Sequence, residues 1–402
     1  MEGGVAGQLK TLGKEARGGF LGRVLHGDLG GLQVFIALAL IWVIFQLSND
    51  RFLSAVNLTN LMLQVTAIAI ISIGVVFVLL LGEIDLSVGS VSGLCASIMA
   101  VLSVQHGWSP ILAILIGLLA GTSIGLFQGF FNTALGIPTF VVTLAGLIAW
   151  QGAQLLVLGD TGTVNLPPST ITDLTSTFYG AGVGWTLAVV VTVAVLGTGL
   201  LERRRRQKAG LEPGPLTGLV VRTVLIGAVM FIGVAILLSD RGVPLAVLIL
   251  LALLALFAFI AGRTRFGRHV YAVGGNAEAA RRAGIRINRV RLTVYALAST
   301  LAAAGGIMAA SRLIAVNQSS GSGDVLINAI AGPVIAGTSL FGGRGSVWTA
   351  LTGALVIGSI SNGMDLLGLQ SSVKFMITGG VLLAAVTFDA LARRQRSQVS
   401  VT

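Results

Sequence analysis

The chain has 402 residues, of which 54% are hydrophobic and only 10% are charged, and its mean hydropathy is +0.93. This composition excludes a soluble domain, and it predicts an all-α polytopic integral membrane protein with no soluble domain. The net charge of +11 requires no nucleic-acid partner, because basic loops of membrane proteins set topology and face the lipid headgroups.

Runs of about 20 apolar residues, enough to cross a hydrocarbon layer of about 30 Å, recur between short polar breaks. They predict about twelve transmembrane helices, at 31–48, 60–81, 87–104, 110–131, 138–158, 185–201, 223–239, 244–262, 292–314, 326–340, 346–364 and 372–391. The short run at 326–340 contains Pro333, so it is either a full crossing or a broken or re-entrant helix. The predicted count is therefore ten to twelve.

Basic residues fall predominantly on one side of this topology. Counted from a cytoplasmic N-terminus, 22 of the 26 Lys and Arg residues lie on the same side. The positive-inside rule then places both termini in the cytoplasm. The resulting divisions are a cytoplasmic tail, a transmembrane domain and a second cytoplasmic tail, at 1–30, 31–391 and 392–402.

The stretch GEIDLSVG, residues 82–89, places two carboxylates where a long apolar run ends. In one interpretation Gly82 ends a helix and Asp85 or Ser87 caps the next helix. In the other, hydrogen-bond acceptors line the inner part of a solute path and bind hydroxyl groups. The path residues would be Glu83, Asp85, Ser87 and Gly89. Both roles can coexist, and Glu83 is the better path candidate because a cap needs one acid only.

Two further patterns concern packing and metal binding. Glycines four residues apart predict a smooth helix face that a second backbone approaches closely. They are Gly117, Gly121, Gly125 and Gly129. The single cysteine, Cys95, lies inside a predicted span, and the three histidines lie on different loops. No metal site is predicted, since metal ligands need to converge.

The function classes that remain differ in their energy source. We find no HExxH, GxSxG or GxxxxGK[ST] motif, so neither intramembrane catalysis by those motifs nor nucleotide hydrolysis by this chain is expected. Transport is then driven either by an ion gradient or by a separate ATPase subunit. The predicted spans carry almost no charge in their interiors, which disfavours ion coupling.

The basic loop 263–291 contains the segment FGRHVYAVGGNAEAARRAGI, residues 266–285. Asn276 is a good N-cap, AEAARRA has high helix propensity, and Gly284 suits the C-terminal cap. The segment therefore predicts a helix of about two turns, which would be marginal alone in water. It is either stabilised by docking against a partner protein or packed on the inner face of its own chain.

Three stretches together resemble a known family: GEIDLSVGSVSGL (82–94), the loop just described, and AIAGPVIAGTSLFGGRGSVWTALTGALVIG (329–358). They resemble the permease subunits of ribose/xylose-type ABC sugar importers, and the resemblance extends from about residue 31 to 391. The added hydrophobic pair around the RRRR loop, the DRGVP turn (240–244) and Glu83 before Ile-Asp-Leu-Ser look like the xylose-type branch.

The resemblance implies a permease that imports a monosaccharide, D-xylose in this branch, across the bacterial plasma (inner) membrane. It implies a permease homodimer surrounded by membrane lipid, an extracytoplasmic sugar-binding protein and a cytoplasmic ATPase subunit. ATP and Mg would bind to that subunit, and no cofactor to this chain. The ATPase-coupling residues would be Gly275, Asn276, Glu278, Ala279, Ala280, Arg281 and Gly284.

Two alternatives from other classes stay open at this stage. An ion-coupled secondary transporter of a small polar solute would use GEIDLSVG as an ion site. An integral membrane enzyme acting on lipid-linked sugars would need acidic pairs that hold a metal, and GEIDLS is the closest approximation in the chain.

Overall fold

The computed structural model describes residues 32–380 together with Leu383 and Thr387. In chain order the elements are α1 (Leu32–Ser48), α2 (Ala55–Leu80), α3 (Val88–Val104), α4 (Pro110–Ala134), α5 (Thr139–Leu158), β1 (Thr163–Asn165), α6 (Thr170–Ser176), β2 (Phe178–Tyr179), α7 (Ala181–Lys208), α8 (Leu216–Leu238), β3 (Val243–Pro244), α9 (Leu245–Arg263), α10 (Arg265–Gly275), α11 (Ala277–Arg282), α12 (Ile287–Leu313), β4 (Ala315–Asn317), α13 (Asp324–Ile335) and α14 (Trp348–Leu366). Residues 371–380 are also helical. The predicted tails 1–30 and 392–402 lie outside the described residues, as does about half of the predicted span 372–391.

Apolar composition and capping explain where the long helices begin and how many could cross a membrane. Ser54 accepts a hydrogen bond from Asn57 N at the start of α2, and Ser109 caps α4, which has Pro110 in its first turn. Seven helices are long and apolar enough to cross a membrane: α2, α4, α5, α7, α8, α9 and α12. Shorter apolar helices lie at Val34–Ser48, Val88–Val104 and Asp324–Ile335. This confirms a polytopic helical membrane protein, whereas the count of twelve stays a prediction.

The centre of the bundle is α2, whose most apolar window is 89% buried within the chain. It packs against α12, α14, α13 and α9. By contrast, α7 and α8 lie at the periphery, with 11% and 17% of their windows buried, and they pair with each other through stacked Trp185 and Phe231 rings. The added hydrophobic pair predicted around the RRRR loop is therefore an outer layer.

The predicted glycine face on α4 packs against α12. A Cβ added at Gly121 would lie 2.7 Å from the backbone oxygen of Ser299, and one at Gly125 would collide with the backbone oxygen of Tyr295. Because van der Waals contact is the main attraction between helices in lipid, such close approach is what holds this pair together. The packing interpretation is confirmed.

Two short antiparallel pairs, β1 with β4 and β2 with β3, modify the all-α expectation. Together with α6 and the start of α2 they define one end of the bundle, here called the β-pair face. The opposite end carries α10 and α11 and is called the coupling face.

Two helices are longer than the spans predicted for them, since α7 continues through the arginine run to Lys208 and α8 begins at Leu216.

The chain following α12 crosses the bundle as a broken element. Helix α13 starts shortly after β4 at the β-pair face, contains Pro333 and ends at Ile335. Residues 336–347 then continue to the coupling face, where Gly343 N donates to Leu80 O (2.9 Å) at the end of α2. Of the alternatives for 326–340, the structure therefore has the broken crossing, completed by non-helical chain.

Candidate functional site

The segment Leu81–Ser87 links α2 to α3 without forming a helix. Gly82 adopts φ +77°, a left-handed conformation that glycine takes without strain, so the chain leaves α2 at the predicted position. Helix α3 resumes only at Val88, beside Gly146 and Gln128 in the interior of α5 and α4. A non-helical peptide thus enters the bundle, with Gly82 and Ile84 exposed and with Asp85 and Ser87 covered by protein, as irregular backbone within a membrane protein requires.

The carboxylate of Glu83 joins this linker to two helices. Its Oε1 forms an ion pair with Arg291 Nε (2.7 Å), and its Oε2 accepts hydrogen bonds from the hydroxyls of Tyr295 (2.6 Å) and Thr139 (3.0 Å). The Glu83 side chain is only 9% exposed, and that of Arg291 is 32% exposed. Both oxygens are occupied, so in this conformation Glu83 acts as a closed contact between the linker, α5 and α12.

Asp85 and Ser87 form a second, fully buried group. Asp85 Oδ1 accepts hydrogen bonds from Ser87 N (2.8 Å) and Ser87 Oγ (2.7 Å), while Gln128 Nε2 donates to Ser87 Oγ (2.9 Å). The hydroxyl of Ser87 makes no capping bond within α3. The predicted cap is therefore wrong for the Ser87 side chain, and Asp85 satisfies only the amide that precedes the helix.

Four buried polar atoms in this region make no hydrogen bond among the described residues: Asp85 Oδ2, Trp150 Nε1, Asn132 Oδ1 and Arg291 Nε, of which the last is in the ion pair with Glu83. A Cβ at Gly146 would lie 2.9 Å from Trp150 Nε1 and would collide with Gln128 Nε2, so the indole, the amide and Ser87 surround one position on α5. Buried polar atoms without partners are costly, so Asp85 Oδ2 and Trp150 Nε1 are candidates for a hydrogen bond to a ligand or to water.

Residues that the sequence analysis missed complete this region. Arg291 was counted only as a topogenic charge, whereas Tyr295, Gln128 and Trp150 lie in apolar spans. The available signal was polarity inside predicted spans, since Gln128 and Trp150 stand among apolar neighbours. The predicted path residue Gly89 occupies a different environment, because a Cβ there would collide with the backbone oxygen of Gly321. Its role is close packing of α3 against the loop preceding α13.

The coupling face contains the predicted loop helix. Asn276 Oδ1 accepts from Ala279 N (2.9 Å), so Asn276 is the N-cap of α11, and Gly284 has φ +82° just after the helix. Helix α10, which precedes it, was not predicted; it is amphipathic and buries Val270 and Val273.

Most of the predicted coupling residues share one exposed surface. Glu278, Arg281 and Arg282 have side chains that are 59%, 70% and 80% exposed, and Glu278 Oε2 and Oε1 lie 3.8 Å and 3.4 Å from Arg281 Nη1 and Arg282 Nε. Gly275, Asn276, Ala279 and Gly284 are exposed as well, whereas Ala280 is buried and packs into the core. Such exposed pairs add little stability to the chain itself.

The coupling loop contacts the linker and the broken element directly. A Cβ at Gly274 would collide with Leu80 O at the end of α2 and would lie 2.9 Å from Gly343 N. The Tyr271 hydroxyl donates to Gly345 O (3.0 Å), and burial raises the pKa of Tyr271, so it stays a donor at neutral pH. Helices α10 and α2 and the segment 336–347 therefore meet at one junction, next to Gly82.

The sequence of the chain is similar to those of known transport proteins. A family profile described as "Branched-chain amino acid transport system / permease component" matches residues 57–386. The "Xylose transport system permease protein XylH" of Escherichia coli K12 is 38% identical over 369 residues, which cover 90% of this chain and 93% of that protein. The protein of that name from Haemophilus influenzae is 36% identical over 90% of this chain and 98% of its own length.

A ribose permease is related as well. The "Ribose import permease protein RbsC" of Bacillus subtilis is 31% identical over 365 residues, covering 90% of this chain and 94% of that protein. No solved structure matches the chain. The profile spans most of the chain and these relatives align over nearly their full length, so the chain belongs to this family of transport-system permease components.

Proposed function

We propose that this chain is the membrane-spanning permease subunit of an ATP-driven monosaccharide importer, with D-xylose as its sugar. The observation that carries the proposal is the 38% identity to a xylose permease over 90% of the chain. The family profile is named for branched-chain amino acids, but the similar proteins include ribose and allose permeases besides those for xylose. A sugar is therefore the favoured substrate class.

The coupling face supports the assignment of an ATPase partner. Helix α11 is six residues long, exposed along most of its surface, and held to its own chain by Ala280. So short a helix gains stability from a docked protein. In this proposal the ATPase subunit, with its ATP and Mg, docks on Asn276, Glu278 and the neighbouring exposed residues, on the cytoplasmic side. Both termini and the tails 1–30 and 392–402 lie on that side as well.

The remaining partners follow from the same assignment. The permease works as a homodimer in the bacterial plasma membrane, and a binding protein delivers sugar to the β-pair face. Within each subunit the inner part of the sugar path runs past the linker. Asp85 and Ser87 supply acceptors and a hydroxyl for the sugar, Gly89 keeps α3 close to the loop at 318–323, and the contact of Glu83 with Arg291 closes the inner end.

The test is sugar uptake by proteoliposomes at zero ion gradient, with this chain, its ATPase subunit and its binding protein present or omitted singly. We expect uptake of radiolabelled D-xylose only when all three proteins and ATP are present, and competition by unlabelled D-xylose but not by leucine. Gradient-driven uptake by this chain alone would establish an ion-coupled carrier instead. Competition by leucine alone would move the substrate to amino acids.

A further inference from the structure

A polar cavity of about 560 Å³ opens at the β-pair face, far from the coupling face. Four helices form its walls: the first turns of α2, the end of α6, the end of α12 and the end of α14. Its polar lining consists of Asn57, Asn60, Gln64, Thr172, Thr175, Ser176, Arg241, Ser311, Arg312, Asn362 and Asp365. The volume lies within the range of about 300–1,000 Å³ that is usual for small-ligand sites.

The amides in this cavity are ordered by the helix period and by hydrogen bonds. Asn57, Asn60 and Gln64 follow the i, i+3, i+7 spacing, so they share one face of α2. Asn57 Nδ2 donates to Asn362 Oδ1 (2.8 Å), and the hydroxyls of Thr175 and Ser311 are 2.8 Å apart. These contacts fix the walls and leave further donors and acceptors of the same side chains for a ligand.

Gln64 differs from its neighbours. Its side chain is half-buried, and among the residues described here it makes no side-chain hydrogen bond. The Gln64 amide lines the cavity on the central, mostly apolar helix of the bundle, so its donors and its acceptor are available there. An amide in this position is matched to a ligand that both donates and accepts hydrogen bonds.

The charges around the cavity are largely neutralised. Arg241 pairs with Asp240 (3.1 Å) and donates to Asn60 Oδ1 (2.9 Å), while Asp365 pairs with Lys374. Asp365 also interacts electrostatically with Arg312. Such a site gives no strong preference for an anion or a cation. Apolar carbon from Leu63, Ile314 and Leu366 completes the lining.

We propose that this cavity is a low-affinity binding site for a neutral monosaccharide, which it receives at the β-pair face before translocation. Hydroxyl groups of a sugar match the convergent amides and hydroxyls, and its C–H face matches the apolar side chains. The inference rests on the proposed function, because it assigns a sugar-receiving role to a surface that the importer would turn towards its binding protein.

Thiol labelling tests this site directly, since the sequence contains a single cysteine, Cys95, which is buried in α3. In a Cys95→Ser background, Ser176→Cys introduces a thiol in the cavity wall, called the cavity thiol, and keeps every amide of the lining. Gln105→Cys introduces one outside the cavity at the same end of the bundle, called the control thiol.

The full chain in lipid vesicles is treated with a membrane-impermeant maleimide, with or without D-xylose. At about ten times the dissociation constant, occupancy predicts about tenfold slower labelling of the cavity thiol and unchanged labelling of the control thiol.

Leucine at the same concentration is the control solute and should protect neither thiol. Equal labelling of the cavity thiol with and without sugar, up to 200 mM D-xylose (about forty times a 5 mM dissociation constant), would overturn the site. Protection by the binding protein in the absence of sugar, together with no protection by sugar alone, would overturn it too and would make the cavity a protein contact. If the cavity thiol proves inaccessible, saturation-transfer NMR with Gln64→Met against Gln105→Met decides, and equal sugar signals from both would reject the proposal.

This outcome is separable from the proposed function. Uptake by the complete importer without sugar binding to the permease would remove the cavity site and keep the importer. Sugar protection of the cavity thiol without ATP-driven uptake would keep the site and remove the importer.

Discussion

Glu83 is the residue on which most contacts of the candidate site converge. Its carboxylate holds Arg291 and Tyr295 of α12 and Thr139 of α5, and the linker that carries it comes directly from the central helix α2. A nearly buried carboxylate with an ion pair and two hydroxyl donors is stable only while those partners stay in place. In the proposed sugar path, opening of the inner end would require that these contacts separate together.

The first prediction concerns this ion pair. Glu83→Gln keeps the size and the acceptor but leaves Arg291 without a counter-charge, and we expect a loss of about 2–3 kcal/mol in unfolding free energy in mixed micelles, reduced from a fully buried pair because Arg291 is partly exposed. Arg291→Met should cost a similar amount. The double variant should cost much less than the sum, and strict additivity would show that the two side chains are not coupled.

At the scale of elements, α4 and α11 make opposite kinds of contact. Helix α4 approaches α12 through glycines, while α11 presents its exposed side at the coupling face. Close packing of α4 against some other helix was predictable from the glycine spacing alone, because glycines four residues apart form one smooth face of a membrane helix. The pairing of α4 with α12 in particular was not, since spacing does not name the partner helix.

The second prediction tests the α4–α12 contact. Gly125→Ala places a methyl group against the backbone of Tyr295 and Ala296, so we expect the melting temperature to fall, corresponding to about 1–3 kcal/mol. Gly152→Ala on α5 is the matched control, because nothing lies within 4 Å of the added Cβ. Equal melting temperatures for the two variants would contradict the packing argument.

The third prediction concerns α11. Glu278→Arg reverses the one acidic charge of the exposed face, and Gly284→Pro removes the left-handed residue after the helix. We expect uptake to fall about tenfold in both, equivalent to about 1.4 kcal/mol, while the ATPase subunit continues to hydrolyse ATP and membrane insertion is normal. Glu212→Arg, in the loop between α7 and α8, is the control with the same charge change. Normal uptake by both α11 variants would remove the coupling assignment.

At the scale of the whole molecule, α7 and α8 form a peripheral layer. The chain enters and leaves this helix pair at neighbouring positions. Strands β2 and β3 flank this pair, with Tyr179 opposite Val243 in an antiparallel register. An insertion whose ends are already hydrogen-bonded to each other can be shortened without moving the rest of the chain. The low burial of both helices supports that view.

The fourth prediction follows. Replacement of residues 180–242 by Asn-Gly closes β2 and β3 as a two-residue hairpin. We expect the shortened chain to insert and to bind the ATPase subunit with a dissociation constant within about threefold, a loss below about 1 kcal/mol. Binding is the measurement because the deletion also removes Arg241 from the cavity lining. Deletion of the same length that starts at residue 190 leaves the ends unpaired and should abolish expression. Failure of the hairpin variant to bind the ATPase subunit would show that the pair has a role in assembly.

Sequence reasoning recovered the membrane class, the positions of the long helices, the α11 helix with its Asn276 cap, and the end of α2 at Gly82. These features depend on local hydropathy and on caps within a few residues. The partners of Glu83 were not predictable, because Arg291 and Tyr295 lie more than 200 residues away. The cavity was missed for the same reason: Asn57 and Asn362 are adjacent only after α2 and α14 pack together.

The broken crossing at α13 has a consequence for synthesis of the protein. Its 12 helical residues span about 18 Å, which is too short for a hydrocarbon layer of about 30 Å. The remaining depth is crossed by non-helical backbone, which makes turn hydrogen bonds within itself and with the end of α13 and is joined to α2 and α10 through Leu80 O and the Tyr271 hydroxyl. Irregular backbone of this kind is not stable when it is exposed to lipid. The segment 324–347 is therefore not stable in lipid by itself. As this segment leaves the translocon, it must dock onto α2 and α10, which have already been synthesised.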